Sequence, residues 1–234
     1  MSWSGGKDSA YCLDKVLAEK IFDVRYLLTT VNSNFKRISM HGVREELLYA
    51  QAKSIGIPLL KVEVNKGTND EYEKQMAKVL LKAKTEGIDY VIFGDIFLED
   101  LKLYRENNLA KLGMKGVFPL WKINTTVLIN DFVDRGFKAA ISCANDAFLG
   151  EEWVGVEIDE SFIKQLPSNV DPCGENGEFH TFCYDGPIFK KKINFAIGEV
   201  VYKPLEIKDD MDCILPANTT TKGFWFCDLL PESY

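Results

Sequence analysis

Apolar stretches alternate with amphipathic stretches over the first two thirds of the chain. The runs that are rich in β-branched and aromatic residues predict strands covered on both faces. The predicted strands are residues 24–31, 59–64, 90–93 and 138–143. Apolar positions with helical spacing predict the intervening helices, which are residues 8–17, 43–55, 68–86, 99–112 and 125–135. This alternation predicts an α/β fold with a doubly wound parallel sheet.

The pattern changes after about residue 145. Prolines, glycines and polar turns become denser, and one short helix (160–166) and two short strands (193–202 and 224–229) are predicted there. We therefore expect two domains, residues 1–144 and a smaller C-terminal α+β domain, residues 145–234.

Composition and charge narrow the class of partner. The 234 residues include 28 Lys and Arg against 35 Asp and Glu, so the net charge is −7, which disfavours a protein whose main task is to bind nucleic acid. No apolar run approaches the length of a membrane span, and the N-terminus lacks the features of a secretory signal. None of the six cysteines forms a C-x-x-C pair. We expect a cytoplasmic protein with reduced thiols.

The strongest chemical signal lies at the start of the first predicted helix. It is the string Ser4, Gly5, Gly6, Lys7, Asp8, Ser9. Paired glycines and a helix N-terminus let backbone N–H groups converge on a phosphate, while the lysine adds a full charge and the hydroxyls add donors. Asp8 is also a candidate ligand for Mg²⁺. The spacing is neither that of a Walker A loop nor G-x-G-x-x-G.

Two further segments carry candidate chemistry. Gly94, Asp95 and Arg105 follow a predicted strand, so they are expected to lie at the rim of the same cleft. Glu175 and Glu178 stand on a glycine-rich segment. They could bind Mg²⁺, hold an ammonium ion or act as a base on an attacking amine, and a solvated polar turn is the alternative.

The loop string resembles the PP-loop, or N-type ATP pyrophosphatase, superfamily. The resemblance implies an adenine nucleotide alpha hydrolase-like fold, a loop that binds the β,γ-pyrophosphate of ATP, and AMP-forming chemistry. Such loops normally follow a strand, whereas three residues precede Ser4 here. We therefore expect a very short first strand, or a chain that begins inside it.

The second segment extends this resemblance to the diphthamide synthase family, whose members amidate diphthine, a modified histidine of elongation factor 2, with ATP and ammonium. The positions that match the family's second motif are Glu175, Gly177, Glu178, Phe179, Thr181 and Phe182. Asn176 and His180 depart from it, so the adenylation half-reaction carries over better than the acceptor does.

The residue patterns and the resemblance together predict a division of roles among these residues. The expected catalytic residues are Lys7, Asp8, Glu175 and Glu178. The expected nucleotide-binding residues are Ser4, Gly5, Gly6, Lys7, Asp8, Ser9, Thr30, Val31, Gly94 and Asp95. The expected substrate-binding residues are His41, Arg44, Arg105, His180 and Thr181. The expected cofactors are ATP and Mg²⁺, the latter on Asp8, and residues 1–144 and 145–234 would bind ATP and substrate respectively.

Several alternatives stay open at this point. The acceptor could be an elongation factor 2-like protein, a small carboxylate or an RNA, although the acidic balance argues against RNA. The chain could also bind adenine nucleotide without turnover. A homodimer is a further expectation that the sequence does not test.

Overall fold

The computed structural model of the chain describes residues 1–38, 42–65, 68–205 and 220–232. Its helices are α1 (Lys7–Glu19), α2 (Glu45–Ile55), α3 (Asn69–Thr85), α4 (Glu99–Lys111), α5 (Thr125–Asp134) and α6 (Glu160–Gln165). Its strands are β1 (Leu27–Asn32), β2 (Arg37–Ile38), β3 (Leu59–Val64), β4 (Tyr90–Ile92), β5 (Lys115–Val117), β6 (Lys138–Asn145), β7 (Phe179–Asp185), β8 (Phe195–Pro204) and β9 (Gly223–Pro231). None of the helices in these ranges combines the length and apolar character needed to cross a bilayer.

Residues 1–3 hold the centre of a parallel sheet. β1 pairs in parallel with β3, and β4 pairs in parallel with β5. Ser2 forms a parallel bridge with Leu28 of β1, while its N–H donates to the carbonyl of Ile92 in β4 at 2.8 Å. The resulting order is β3, β1, residues 1–3, β4, β5. The very short first strand that the sequence predicts therefore joins the two halves of the sheet.

Helices cover both faces of this sheet. Leu27 packs in a core with α1 and α2, whereas its neighbour Leu28 packs in a second core with α3 and α4. Ile92 and Val91 divide between the same two cores. Because successive strand residues point to opposite faces, this division confirms the predicted α/β fold with a doubly wound parallel sheet.

The C-terminal part adds a separate antiparallel sheet, with strand order β7, β6, β9, β8. β6 pairs antiparallel with both β7 and β9. This corrects one expectation, since the strand predicted at residues 138–143 forms but does not continue the parallel sheet. Its side chains are buried along nearly its whole length, so a central antiparallel strand carries the same apolar pattern as a parallel one. The domain boundary at residue 144 stays a prediction.

Local sequence signals place the ends of several helices. The Thr68 hydroxyl accepts a hydrogen bond from the N–H of Glu71, and the Asn124 side chain accepts one from the N–H of Val127. Both residues thereby cap a helix N-terminus. α2 ends at Gly56 with φ +87°, a conformation that glycine adopts without strain.

We expect the replacement Phe132→Ala on α5 to lower the free energy of unfolding by about 3–5 kcal/mol, since it removes a large buried side chain and leaves a cavity. Phe132 is 0% exposed, and its ring stacks on Phe137 with centroids 5.0 Å apart. Val127→Ala on the same helix is the control, because Val127 is 54% exposed and should change stability by no more than about 0.5 kcal/mol. Urea unfolding measures both, and equal effects would contradict this packing.

Candidate active site

The glycine loop leaves the carboxyl end of the central strand and leads into α1. Residues 1–3 are held by the hydrogen bond from Ser2 to β4 and by the N–H of Trp3, which donates to the carbonyl of Leu28 at 2.7 Å. The next residues, 4–6, form the turn, and α1 begins at Lys7. Ligands of doubly wound sheets bind beyond the carboxyl ends of the strands, and the loop lies at that position.

The backbone conformation of the loop depends on glycine. Gly5 has φ +77°, and a Cβ atom there would lie 2.8 Å from both Gln51 Oε1 and Leu48 Cδ2. Gly6 N–H donates to the Ser4 hydroxyl at 3.2 Å, and the Ser9 hydroxyl donates to the Gly6 carbonyl at 2.9 Å. Both predicted hydroxyls therefore lie within the loop and stabilise its turn.

Lys7 is buried although it carries a charge. It is 2% exposed, and its ammonium group donates to both carboxylate oxygens of Asp8 at 2.8 Å and to the backbone carbonyl of Cys173. Burial is the largest single influence and would lower the pKa of Lys7, but the charge and hydrogen bond of Asp8, together with the nearby Cys173 and Glu175, outweigh it and leave that pKa raised. The lysine therefore stays protonated at neutral pH and brings a fixed positive charge to the loop.

The Asp8 carboxylate is partly accessible at the loop, because its side chain is 29% exposed. Within the residues that the structure describes, no three His, Cys, Asp or Glu side chains cluster as a metal site would require. Mg²⁺ commonly takes only one or two carboxylates and completes its shell with phosphate oxygens and water. A partly exposed Asp8 fits that limited role.

Glu175 lies at the same site as the loop. Its Oε1 accepts hydrogen bonds from the N–H groups of Ile96, at 2.7 Å, and Phe97, at 3.4 Å. Burial, reinforced by the charge of Asp8, raises the pKa of Glu175 to about 7. A carboxyl group with such a pKa gains and loses a proton near neutral pH, which suits a general acid or base.

Glu178 occupies a different environment from Glu175. It is 1% exposed, and its Oε1 accepts from the N–H of Asp171 at 2.9 Å and from Asn176 Nδ2 at 3.0 Å. Its Oε2 is buried and has no hydrogen-bond partner among the described residues. The two glutamates that the sequence groups together thus divide into one at the site and one that organises the turn behind it.

The strand β7 brings the second motif against the loop. Thr181 is 3% exposed, and its Oγ1 accepts the N–H of Lys7 at 3.0 Å. The N–H of Cys183 donates to the Gly5 carbonyl at 2.8 Å. His180 is half-buried on the same strand, paired in register with Cys143. Of the two residues predicted to bind substrate here, Thr181 therefore contacts the loop itself.

Gly94 and Asp95 close the site on the β4 side. A Cβ atom at Gly94 would lie 3.0 Å from the carbonyl oxygen of Asp8 and 3.3 Å from the nitrogen of Ser9. Asp95 is 9% exposed and forms an ion pair with Arg105, Oδ2 to Nε at 2.7 Å. The guanidinium group also stacks over the ring of Phe93, 4.4 Å from its centroid. Arg105, a predicted substrate fork, is thus held by a protein carboxylate.

The remaining predicted residues lie along the other side of the sheet. Thr30 is half-buried and Val31 is buried, both near the end of β1. Arg44 donates to both carboxylate oxygens of Asp228 on β9, at 2.9 and 2.7 Å. Arg37 also pairs with Asp228, at 2.8 Å. His41 lies outside the described residues.

Sequence reasoning missed two residues that shape the site. Gln51 is 0% exposed and donates to the Gly5 carbonyl at 2.9 Å. Asp171 accepts the N–H groups of Cys173 and Glu175, at 2.9 and 3.2 Å. Gln51 stands at a helix position whose neighbours are apolar, which was the one available signal. Asp171 precedes a proline in a turn-rich stretch, and such turns are common.

The five cysteines in the described ranges, Cys12, Cys143, Cys173, Cys183 and Cys227, are free and buried. Burial raises the pKa of the Cys173 thiol, which lies beside Lys7, far above its usual range. This agrees with reduced, unreactive thiols.

Models of known protein families match both parts of the chain that form this site. The family model described as the diphthamide synthase N-terminal domain matches residues 1–116, and the one described as the diphthamide synthase C-terminal domain matches residues 124–208. β6 lies within the second match, in keeping with its place in the antiparallel sheet.

Relatives agree over most of the chain. Diphthine–ammonia ligase of Homo sapiens is 26% identical over 227 residues, which covers 85% of this chain and 82% of the human protein. The Mus musculus enzyme of the same name is 28% identical over 229 residues, with the same shares covered. That of Schizosaccharomyces pombe is 35% identical over 100 residues, covering 41% of this chain and 16% of the yeast protein. The two domain models match in order and together cover most of the chain. The chain therefore belongs to the diphthamide synthase family.

Proposed function

We propose that this protein is an ATP-dependent, AMP-forming carbon–nitrogen ligase that amidates the carboxylate of diphthine with ammonia. The family and the relatives named diphthine–ammonia ligase support this activity. The observation that carries it is a contact between the N-terminal and C-terminal parts of the chain at the glycine loop. The glycine loop of the first part contacts the strand that follows Glu175 and Glu178 in the second, through Thr181.

The loop would bind the two terminal phosphates of ATP. The first turn of α1 presents backbone N–H groups and the positive end of the helix dipole. Gly94 leaves room beside this turn, since a Cβ atom there would meet the backbone of Asp8. The buried charge of Lys7 adds electrostatic stabilisation of the departing pyrophosphate.

Asp8 would hold Mg²⁺ together with phosphate oxygens and water. When bound, the ion would neutralise part of the charge on the pyrophosphate. Besides burial, the negative charge of Asp8 helps to raise the pKa values of Asp95 and Glu175, so these carboxyl groups lie near Asp8. Because the Asp8 side chain is 29% exposed and that of Asp95 is 10% exposed, we assign the direct ligand role to Asp8 alone.

Glu175 would serve the second half-reaction. In the first step an oxygen of the substrate carboxylate attacks the α-phosphorus, and the bond to pyrophosphate breaks. In the second step an ammonia nitrogen attacks the acyl carbon, AMP leaves, and the nitrogen gives up a proton. Glu175 has a pKa of about 7, so its ionised form can accept that proton at neutral pH.

The acceptor would be an elongation factor 2-like protein that carries diphthine. The relatives named diphthine–ammonia ligase, whose match covers 85% of this chain, support this acceptor. Glu175 is half-buried, so it is partly accessible to a carboxylate carried by a protein. ATP and ammonium would reach the same cleft from solution.

The test incubates the purified protein with ATP, Mg²⁺, ammonium and elongation factor 2 that carries diphthine. The expected products are AMP, pyrophosphate and the amidated histidine, detected by chromatography and by mass spectrometry of the acceptor peptide. ADP and phosphate would contradict the mechanism. AMP formation that ignores the diphthine-bearing protein but responds to a different carboxylate would contradict the acceptor.

We expect Gly94→Ala to weaken ATP binding by about tenfold or more, because the added methyl group would force the first turn of α1 away from β4, and a tenfold loss corresponds to about 1.4 kcal/mol. Gly136→Ala is the control, since Gly136 has φ +79° and a Cβ atom there would meet nothing within 4 Å. That replacement should cost stability and leave ATP affinity unchanged. Titration calorimetry measures both, and equal affinities in the two variants would argue against the loop as the phosphate site.

We expect the pH dependence of stability to change in Glu175→Gln. The folded state raises the pKa of Glu175 from 4.5 to about 7, so it binds the proton more tightly than the unfolded state does. The wild-type protein should therefore lose stability as pH rises through this window, and the variant should lack that part of the loss.

The control for this prediction is Glu199→Gln, which alters an exposed carboxylate on β8. Urea unfolding at several pH values between 4.5 and 7 measures all three proteins. If the Glu175 and Glu199 variants follow the wild-type curve equally, Glu175 has no raised pKa.

A further inference from the structure

The most unusual polar residue outside the motifs is Gln51 on α2. Its side chain is 0% exposed, although glutamine is mostly found at protein surfaces. A buried amide group is costly unless its donors and acceptor are all hydrogen-bonded. The partners of Gln51 therefore indicate what the residue does.

Gln51 bonds to three different segments. Its Nε2 donates to the carbonyl of Gly5 at 2.9 Å and to the carbonyl of Cys183 at 2.5 Å, while its Oε1 accepts the indole N–H of Trp3 at 2.9 Å. These partners belong to the loop, to β7 and to the central strand. One side chain thus connects the loop to the central strand that precedes it and to β7.

The contact with Gly5 fixes the direction of a peptide group together with the N–H of Cys183, which donates to the same carbonyl at 2.8 Å. Gly5 has φ +77° and lies so close to Gln51 that a Cβ atom would be 2.8 Å from Oε1. In a trans peptide the carbonyl and the following N–H point in opposite directions. Holding the Gly5 carbonyl towards Gln51 therefore turns the N–H of Gly6 the other way, where it donates to the Ser4 hydroxyl.

We propose that Gln51 is a positioning residue for pyrophosphate binding, which holds the Gly5 carbonyl behind the loop so that the loop keeps its phosphate-binding shape. The proposal rests on the proposed use of ATP. Gln51 is fully buried behind the loop and would not touch a bound nucleotide, so it would act on affinity through Gly5. Its effect should be confined to ligands that carry the two terminal phosphates.

This restriction separates positioning from a general structural role. ATP and inorganic pyrophosphate both place phosphates on the loop, whereas AMP lacks the two phosphates that the loop would bind. If Gln51 positions the loop, replacing it should weaken the binding of ATP and of pyrophosphate and leave the binding of AMP unchanged. If Gln51 only supports the fold, all three affinities should fall together or stay unchanged.

The experiment compares the wild-type protein with Gln51→Met, which keeps the length of the side chain and removes its hydrogen bonds. Titration calorimetry with ATP, pyrophosphate and AMP is the measurement. We expect the affinities for ATP and pyrophosphate to fall about tenfold, as the loss of one to two hydrogen bonds implies, and that for AMP to change by less than about twofold. A uniform loss, or no loss, overturns the proposal.

Ser54→Ala is the matched control on the same helix. The Ser54 hydroxyl is bonded to the backbone of Lys191, away from the loop, so this variant should lose stability and retain all three affinities. A wild-type protein that binds AMP but neither ATP nor pyrophosphate would refute the proposed function itself, which distinguishes that failure from a failure of the role of Gln51.

Gln51→Glu gives a second measurement if the methionine variant does not fold. A protonated glutamic acid can still donate one hydrogen bond, but its carboxylate cannot. ATP affinity of this variant should therefore improve relative to wild type as pH falls. Parallel pH profiles for the two proteins would overturn the proposal.

Discussion

A charged group removed from water must be compensated by nearby partners, and the structure of this site follows from that requirement at Lys7. Its ammonium group is almost wholly buried and bonds to Asp8 and to the carbonyl of Cys173. Leaving such a charge without partners would be strongly destabilising. The turn that carries Cys173 must therefore lie against the loop, and the C-terminal half of the chain is held there.

The site is consequently shared between the two halves of the chain. Besides the lysine, several backbone groups bond between them. Among these, the N–H of Lys7 donates to Thr181, the N–H of Cys183 to Gly5, and the N–H of Ile96 to Glu175. Each bond involves backbone at the loop, on β7 or after β4. The bond from Cys183 to Gly5 joins two backbone groups and does not depend on side-chain identity, whereas the other two require the side chains of Thr181 and Glu175.

The arginines illustrate how charge is distributed around the cleft. Arg105 pairs with Asp95 and stacks on Phe93, while Arg44 and Arg37 share Asp228. In each case a carboxylate that is distant in sequence or on another element neutralises the guanidinium group. Lys7 is likewise paired, with the carboxylate of Asp8, but unlike the arginines it belongs to the loop itself.

The sequence by itself determined the alternation of strands and helices, because the period of the apolar residues reports local geometry. It also determined the position of the phosphate loop, since two glycines followed by Lys7 at a helix start have few other uses. It could not separate Glu175 from Glu178, because their difference is one of burial. Nor could it place β6, whose apolar pattern suits either kind of sheet, or Gln51, whose role depends on Trp3, Gly5 and Cys183. Those features arise from contacts between residues far apart in the chain, and only the tertiary structure brings them together.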